Sequence, residues 1–235
     1  ILPTLKKAPF LDIALCTDDI EPADLLANGH MDRVIREMLA HEVLPRLAEK
    51  VTTTQVRLTL APITGRSYTA PARVLETPNP LSTPRFQLEE AKKTFQKEAL
   101  RTFDELRKRA AAECSRGTEI IGALKAAGER ARKPGRILVL AHGFEQSELM
   151  NLYDYRLKLE KREVRQGLLQ RVKARLGLPN LKDQEVCIAG ITAGNDNNAN
   201  ARLTTSIKAF WEELIQASGG RLVGYGTTPR VCPFL

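Results

Sequence analysis

Short apolar runs, in which apolar and polar residues do not alternate, predict the strands of a buried sheet. The run at 136–144 is apolar from 137 to 141 and is typical of a parallel strand covered by helices on both faces. A second such run lies at 186–191, and the run at 10–15 is apolar except at Asp12. We therefore predict a strand at each of these three places, with the strand at 136–144 in the middle of the sheet.

Alternating positions predict an antiparallel hairpin beside these strands. Apolar side chains share one parity over 55–64, and a turn follows before a second run at 69–76. Pro71 lies within that second run and Pro78 follows it, and prolines at such positions suit an edge strand. A last short strand is predicted at 222–225.

Between the predicted strands, apolar residues recur at the spacing of an α-helix. We predict helices over 30–50, 86–113, 149–176 and 203–217, and a further helix that is capped by Thr118 and ends near 132. Pro45 removes a hydrogen bond to His41, so it should kink or split the first helix.

This order of elements predicts a doubly wound α/β fold. Its mostly parallel sheet has one antiparallel edge hairpin and helices on both faces. We expect a single domain over 1–235, with two long helical insertions at about 84–114 and 149–180.

Composition agrees with an ordinary globular chain, 43% hydrophobic over 235 residues. Its four cysteines, Cys16, Cys114, Cys187 and Cys232, contain no Cys-x-x-Cys pair, so neither a zinc ribbon nor a disulfide framework is indicated. We expect a reducing compartment and a cytoplasmic location. No apolar run approaches the roughly 20 residues that span a bilayer, so no membrane partner is predicted.

Four segments together resemble the von Willebrand factor A (VWA) domain in content and order. They are 11–19, 116–124, 136–143 and 210–220. In that family a strand-end Asp-x-Ser-x-Ser, a threonine and a second aspartate hold one Mg²⁺ at the top of the sheet. Mg²⁺ prefers six oxygen ligands in octahedral geometry.

The resemblance places these metal positions on residues that are mostly of the wrong type. The first aspartate falls on Cys16, the serines on Asp18 and Ile20, the threonine on Thr118 and the last aspartate on His142. Asp19 or Asp18 could take the first position after a small shift, but no serine pair follows. Thiol and imidazole are poor Mg²⁺ ligands, so the resemblance implies a degenerate metal site.

Other cofactors and reactions find little support in the sequence. A zinc site from Cys16, Asp18 and His142 is chemically possible, but no close ligand spacing supports it, and we predict neither metal nor cofactor. The His142-Gly143 pair resembles an oxyanion loop of α/β-hydrolases, yet no Gly-x-Ser-x-Gly elbow follows and the other histidines, His30 and His41, lie upstream. We predict no catalytic residues.

Basic residues give a second hypothesis, since the formal net charge is +8. They concentrate in two predicted helices, around 92–109 and 156–175, where they could bind phosphate groups independently of sequence. The candidate nucleic-acid contacts are Arg156, Lys158, Lys161, Arg162, Arg165, Arg171 and Lys173.

The sequence thus predicts a non-enzymatic protein-interaction module or scaffold of VWA-like fold, whose partner is another protein. Its interaction rim would be formed by Cys16, Asp18, Asp19, Thr118, His142, Glu145, Asn195 and Asp196. The alternative is a DNA- or RNA-binding protein that uses the basic helices around 92–109 and 156–175 in DNA repair or the damage response.

Overall fold

A computed structural model describes residues 10–18, 30–112, 117–191 and 197–235. One six-stranded sheet forms the centre of the molecule, in the order β3-β2-β1-β4-β5-β6. The strands are β1 (Phe10–Asp18), β2 (Gln55–Ile63), β3 (Arg73–Glu76), β4 (Gly135–Leu140), β5 (Gln184–Ala189) and β6 (Arg221–Gly226). Every neighbouring pair is parallel except β2 and β3, which are antiparallel. The predicted α/β fold with one antiparallel edge hairpin is confirmed.

Helices cover both faces of this sheet. They are α1 (His30–Met38), α2 (Leu44–Lys50), α3 (Arg85–Ala112), α4 (Ile120–Arg130), α5 (Arg162–Arg175) and α6 (Asn197–Ala217). A π-helical turn, Leu39–Val43, joins α1 to α2, and Pro45 is the second residue of α2, so the predicted interruption of the first helix near Pro45 is confirmed.

Strand β4 lies between β1 and β5 and supplies both hydrophobic cores. Ile137 and Val139 pack with α4, α5 and α6 on one face, whereas Leu138 and Leu140 pack with α1, α2 and α3 on the other. All four side chains are fully buried, because helices cover both faces of the strand.

Helix α3 lies on the sheet rather than beside it. It buries Leu88, Phe95, Phe103 and Leu106 against α2, β2 and β3. The boundaries of the two insertions, 84–114 and 149–180, stay a prediction.

The single helix expected over 149–176 is wrong. The Asn151 and Asp154 side chains accept hydrogen bonds from main-chain N–H groups two residues further on, at 3.0 Å each. Such local bonds compete with helix formation. A 3₁₀ turn, Tyr155–Leu157, and a left-handed residue, Lys158, follow, so α5 begins only at Arg162.

Two further expectations need correction. Thr118 does not cap α4, since the cap residue is Glu119 and Thr118 instead pairs with Gln146 in an isolated β-bridge. Cys187 and Cys232 form a disulfide bond, which ties the segment after β6 to β5. The expected absence of disulfides is therefore wrong, and cysteine spacing no longer argues for a reducing compartment.

Within the described segments, no helix has both the length and the apolar character needed to cross a bilayer.

Candidate functional site

The carboxyl ends of β1, β2, β4 and β5 define one edge of the sheet, where ligands of open parallel sheets collect. Asp18 is the last residue of β1, while Asp19, Asn195 and Asp196 of the predicted rim lie outside the described residues.

Cys16 lies inside the sheet and not at its edge. It pairs with Val139 on one side and Ala61 on the other, and its thiol faces the Ala123 carbonyl oxygen at 4.0 Å. The side chain is buried, and burial raises the pKa of the thiol to about 12. Cys16 is therefore a core residue and does not belong to the predicted interaction rim.

His142 stands at the end of β4 but is enclosed by the chain itself. It is only 4% exposed. Its Nδ1 atom accepts a hydrogen bond from the Phe144 main-chain N–H at 3.0 Å, and the Tyr153 hydroxyl lies 3.2 Å from Nε2. The rings of Phe144 and Tyr153 stack with centroids 4.5 Å apart. The imidazole thus has protein partners where the resembled family places a metal-binding aspartate.

Gly143 continues this closed arrangement. Its φ of +86° is a conformation that other residues adopt with strain, and its carbonyl oxygen accepts a hydrogen bond from Trp211 Nε1 at 2.8 Å. A Cβ atom at this position would lie 2.6 Å from Ile191 Cδ1. The chain leaving β4 is therefore held against α6 and lies close to Ile191, two residues after the end of β5.

Glu145 joins this edge to the start of α4. Its carboxylate is fully buried and accepts a hydrogen bond from the Ile121 main-chain N–H at 3.0 Å. Burial raises the pKa of Glu145 to about 8, although the Ser147 hydroxyl and the Ile121 N–H oppose that rise. Glu145 therefore serves as a buried cap for a neighbouring helix, a role that the sequence did not indicate.

Thr118 and Gln146 hold the same region together. Each main-chain N–H donates to the other residue's carbonyl oxygen at 2.9 Å, and Thr118 is buried. Thr118, His142 and Glu145 thus lie at the predicted edge, but their side chains are not exposed to a partner.

No group of three His, Cys, Asp or Glu side chains within the described residues could hold a metal ion. The zinc alternative from Cys16, Asp18 and His142 thus gains no support there.

Among the described residues, an open cleft of about 840 Å³ lies beside these groups. It lies between the turn after β2, the start of α4, the residues after Glu145, and α5. Its charged lining residues are Arg66, Arg171, Arg175, Glu119 and Glu148. The Arg171 Nη1 atom donates to the Leu149 carbonyl oxygen at 3.2 Å, whereas Arg66 and Arg175 form no ion pair with any described residue.

The cleft could in part have been found from the sequence. Arg66 follows the carboxyl end of β2, just as His142 follows that of β4, and the same rule applies to both. Arg175 could not have been found, because its place in the cleft depends on how α5 packs.

Some of the predicted nucleic-acid contacts serve the structure instead. Arg165 donates to the Glu213 carboxylate at 2.8 Å and to the Leu159 carbonyl oxygen at 2.8 Å, and its side chain is 12% exposed. Arg156 pairs with Asp154 at 3.0 Å. Arg165 is therefore removed from the nucleic-acid surface. Lys158, Lys161, Arg162 and Lys173 are exposed and form no ion pair with any described residue.

The second basic helix carries compensating acids. On α3, Lys92 pairs with Glu89 and Arg101 with Glu105, while Asp104 pairs with Arg36 of α1. The 92–109 segment thus presents mixed rather than purely positive charge.

Comparison with known proteins gives structural similarities only. No protein-family model matches the chain, and no curated protein matches it. The pilus adhesin SpaC of Lactobacillus rhamnosus GG is 10% identical and has a TM-score of 0.43, with coverage of 94% of this chain and 28% of the adhesin.

Two further structures are similar to a comparable degree. A mutant PilB minor pilin of Streptococcus sanguinis is 12% identical over 96% of this chain and 58% of the pilin, with a TM-score of 0.45. A von Willebrand factor type A protein of Catenulispora acidiphila is 14% identical over 93% of this chain and 38% of that protein, with a TM-score of 0.39.

The chain spans less than two thirds of each of these structures, from 28% to 58%. The strand order β3-β2-β1-β4-β5-β6, with one antiparallel edge pair and helices on both faces, is that of a doubly wound α/β fold.

Proposed function

We propose that this chain is a non-enzymatic protein-interaction module that binds its partner at the carboxyl edge of the sheet without a bound Mg²⁺. The observation that carries the proposal is the enclosure of His142. The VWA resemblance places the last metal-binding aspartate at His142. This histidine is buried, accepts a hydrogen bond from the Phe144 main-chain N–H and lies next to the Tyr153 hydroxyl. Glu145, three residues later, is committed to the start of α4.

The cleft beside these residues offers another way to receive a partner. In VWA domains that hold Mg²⁺, a carboxylate of the partner protein completes the coordination of the ion. Here the guanidinium groups of Arg66 and Arg175 are exposed in the cleft, and guanidinium can bind a carboxylate in a bidentate manner. The partner is therefore a protein that presents an Asp or Glu side chain to this cleft.

A capture experiment under chelation tests the proposal. Tagged chain is incubated with extract of its native cells in EDTA, and the bound proteins are identified by mass spectrometry. The same partner should be recovered with and without Mg²⁺ and lost from the Arg66→Glu, Arg175→Glu double variant. A matched control, Lys93→Glu with Lys97→Glu, reverses two exposed charges on α3 and should retain the partner. Recovery that requires Mg²⁺, or equal loss in both variants, would contradict the proposal.

Direct binding of DNA or RNA is the second candidate function. The supporting observation is the group of exposed cations on and before α5, namely Lys158, Lys161, Arg162 and Lys173. Such contacts would bind phosphate without sequence preference, and the affinity would fall steeply with salt.

Charge reversal at Lys161 and Arg162 separates the two candidates. If nucleic-acid binding is the function, the protein should shift a labelled duplex or single strand at low salt, and the double reversal should weaken this binding and reduce its salt dependence by about two charges. No shift at low salt would exclude the second candidate.

A further inference from the structure

Among the residues that the structure describes, none pairs with the outer edge of strand β3. It is the last strand in the sheet order and pairs, within the described residues, only with β2. The Thr77 main-chain N–H donates to the Val56 carbonyl oxygen at 2.9 Å, and Thr77 lies opposite Val56 in the continued register. In an antiparallel pair, every second residue forms main-chain hydrogen bonds with the neighbouring strand. The main-chain N–H and C=O groups of Leu75 therefore also point toward β2, whereas those of Val74 and Glu76 point away from the sheet.

A groove of about 510 Å³ lies between this strand and α3. Leu75, Ala91 and the buried ring of Phe95 contribute apolar surface to it. Phe86, at the start of α3, also lines it and is 73% exposed. An open strand edge beside an apolar groove is the arrangement that accepts an added strand.

The charge of the groove restricts what can occupy it. Glu90 and Glu98 line the groove from α3, no Lys or Arg lines it, and both glutamates are exposed without an ion pair to any described residue. Glu76 is already paired with Arg57 at 3.3 Å and Arg132 at 3.6 Å. An acidic groove in a chain of net charge +8 therefore favours a basic occupant.

The spacing of the two glutamates fits an extended segment. Glu98 is eight positions after Glu90, which is about 12 Å along the axis of an α-helix. Side chains four residues apart on one face of a strand are separated by about 14 Å. Basic side chains at positions i and i+4 of a segment that runs along α3 therefore match the spacing of the two glutamates, and the residue at i+2 lies on the same face of the segment.

We propose that the edge of β3 and this groove bind an extended segment of a partner protein with the pattern basic-x-apolar-x-basic. The segment adds as a seventh strand through the main-chain groups of Val74 and Glu76. This surface lies toward the amino ends of β1 and β2, where Glu76 is opposite Arg57, so it is distinct from the cleft at the carboxyl edge. A second copy of the chain would bring a second set of the same glutamates to the contact, which is unfavourable for self-pairing.

A peptide of defined sequence tests this inference by NMR. The probe is acetyl-Lys-Thr-Val-Thr-Lys-amide, titrated into ¹⁵N-labelled protein. The amide signals of Val74 and Glu76 should shift, and their hydrogen exchange should slow. Two matched peptides serve as controls: one has Glu in place of both Lys, and the other carries N-methyl groups on its three central residues. Both should bind at least about tenfold more weakly, since each lacks one class of contact.

Protein variants distinguish this surface from the cleft. Glu90→Lys with Glu98→Lys, on the exposed face of α3, should weaken the probe about tenfold, whereas Arg66→Glu with Arg175→Glu should leave it unchanged. Equal binding of the charge-reversed peptide, or shifts that avoid Val74 and Glu76, would overturn the inference. Self-association in sedimentation that shifts these same amides would overturn it too, because a second copy would then be the occupant. Either result leaves the cleft experiment unaffected.

Discussion

The Glu145 carboxylate accepts a hydrogen bond from the Ile121 main-chain N–H, 3.0 Å away, and so ties the segment after β4 to the first turn of α4. The first N–H groups of a helix have no partner within the helix, and a carboxylate at that end is favoured by the helix dipole. Full burial of Glu145 disfavours the charged form of its carboxyl group. Its protonation is therefore coupled to stability.

Glu145→Gln should change the pH dependence of stability. The pKa of Glu145 rises from its ordinary value of 4.5 to about 8 on folding, so between these values the folded state keeps a proton that the unfolded chain has lost. This contribution is fully present below pH 4.5 and is lost as the pH rises to 8, with a slope of up to about 1.4 kcal/mol per pH unit.

Urea unfolding of both proteins from pH 5 to 9 measures this effect. The Gln variant should gain stability relative to the wild type as the pH rises toward 8, with no further gain above that pH. Parallel stability curves would show that Glu145 does not titrate in this way.

Gly143→Ala should destabilise the protein by about 1–3 kcal/mol, because the residue has positive φ and a Cβ atom would lie 2.6 Å from Ile191 Cδ1. Gly167→Ala is the matched control, since Gly167 lies within α5 and nothing stands within 4 Å of its Cβ position. The control should stabilise by about 0.5–1 kcal/mol. Thermal unfolding compares the two, and equal effects would argue against a closed edge at Gly143.

Arg165→Ala should cost more stability than Arg162→Ala, although both remove one positive charge from α5. Arg165 bonds to Glu213 and to the Leu159 carbonyl oxygen with little exposure, so its loss should cost about 1–3 kcal/mol, whereas the exposed Arg162 should contribute less than about 0.5 kcal/mol. Chemical unfolding gives both values. A similarly small loss of stability in both variants would show that Arg165 is a surface cation without a structural role.

Reducing agent should lower the stability of the wild type by about 2–4 kcal/mol, since the Cys187–Cys232 bond closes a sequence separation of 45 residues. Cys232→Ser should be less stable and insensitive to reductant. Cys16→Ala is the control, because Cys16 is a buried free thiol, and this variant should keep its response to reductant. Free-thiol titration of the unfolded, unreduced protein checks the pairing independently, and reaction of all four cysteines would contradict it.

Local patterns predicted the frame of the fold well. The uninterrupted apolar run around Val139 marked the central strand, the prolines around β3 marked an edge, and Pro45 marked the break between α1 and α2. These features depend on residues close to each other in the chain, so the sequence displays them directly.

Features set by packing between distant segments could not be predicted in the same way. The bond from Glu145 to α4, the enclosure of His142 by Tyr153 and the pairing of Cys187 with Cys232 all join separate elements. The prediction of a helix before α5 is wrong for a local reason. The side chains of Asn151 and Asp154 stabilise turns, which the spacing of apolar residues does not indicate.

Binding to the captured partner in the presence and absence of divalent ions tests the proposed function most directly. The dissociation constant is measured by calorimetry in EDTA and in Mg²⁺ for the wild type, for Arg66→Glu with Arg175→Glu, and for the Lys93→Glu, Lys97→Glu control. We expect the same affinity in EDTA and Mg²⁺, and at least about a tenfold loss in the cleft variant only. Binding that disappears in EDTA, or that the cleft variant retains in full, would contradict a metal-independent interaction at this edge.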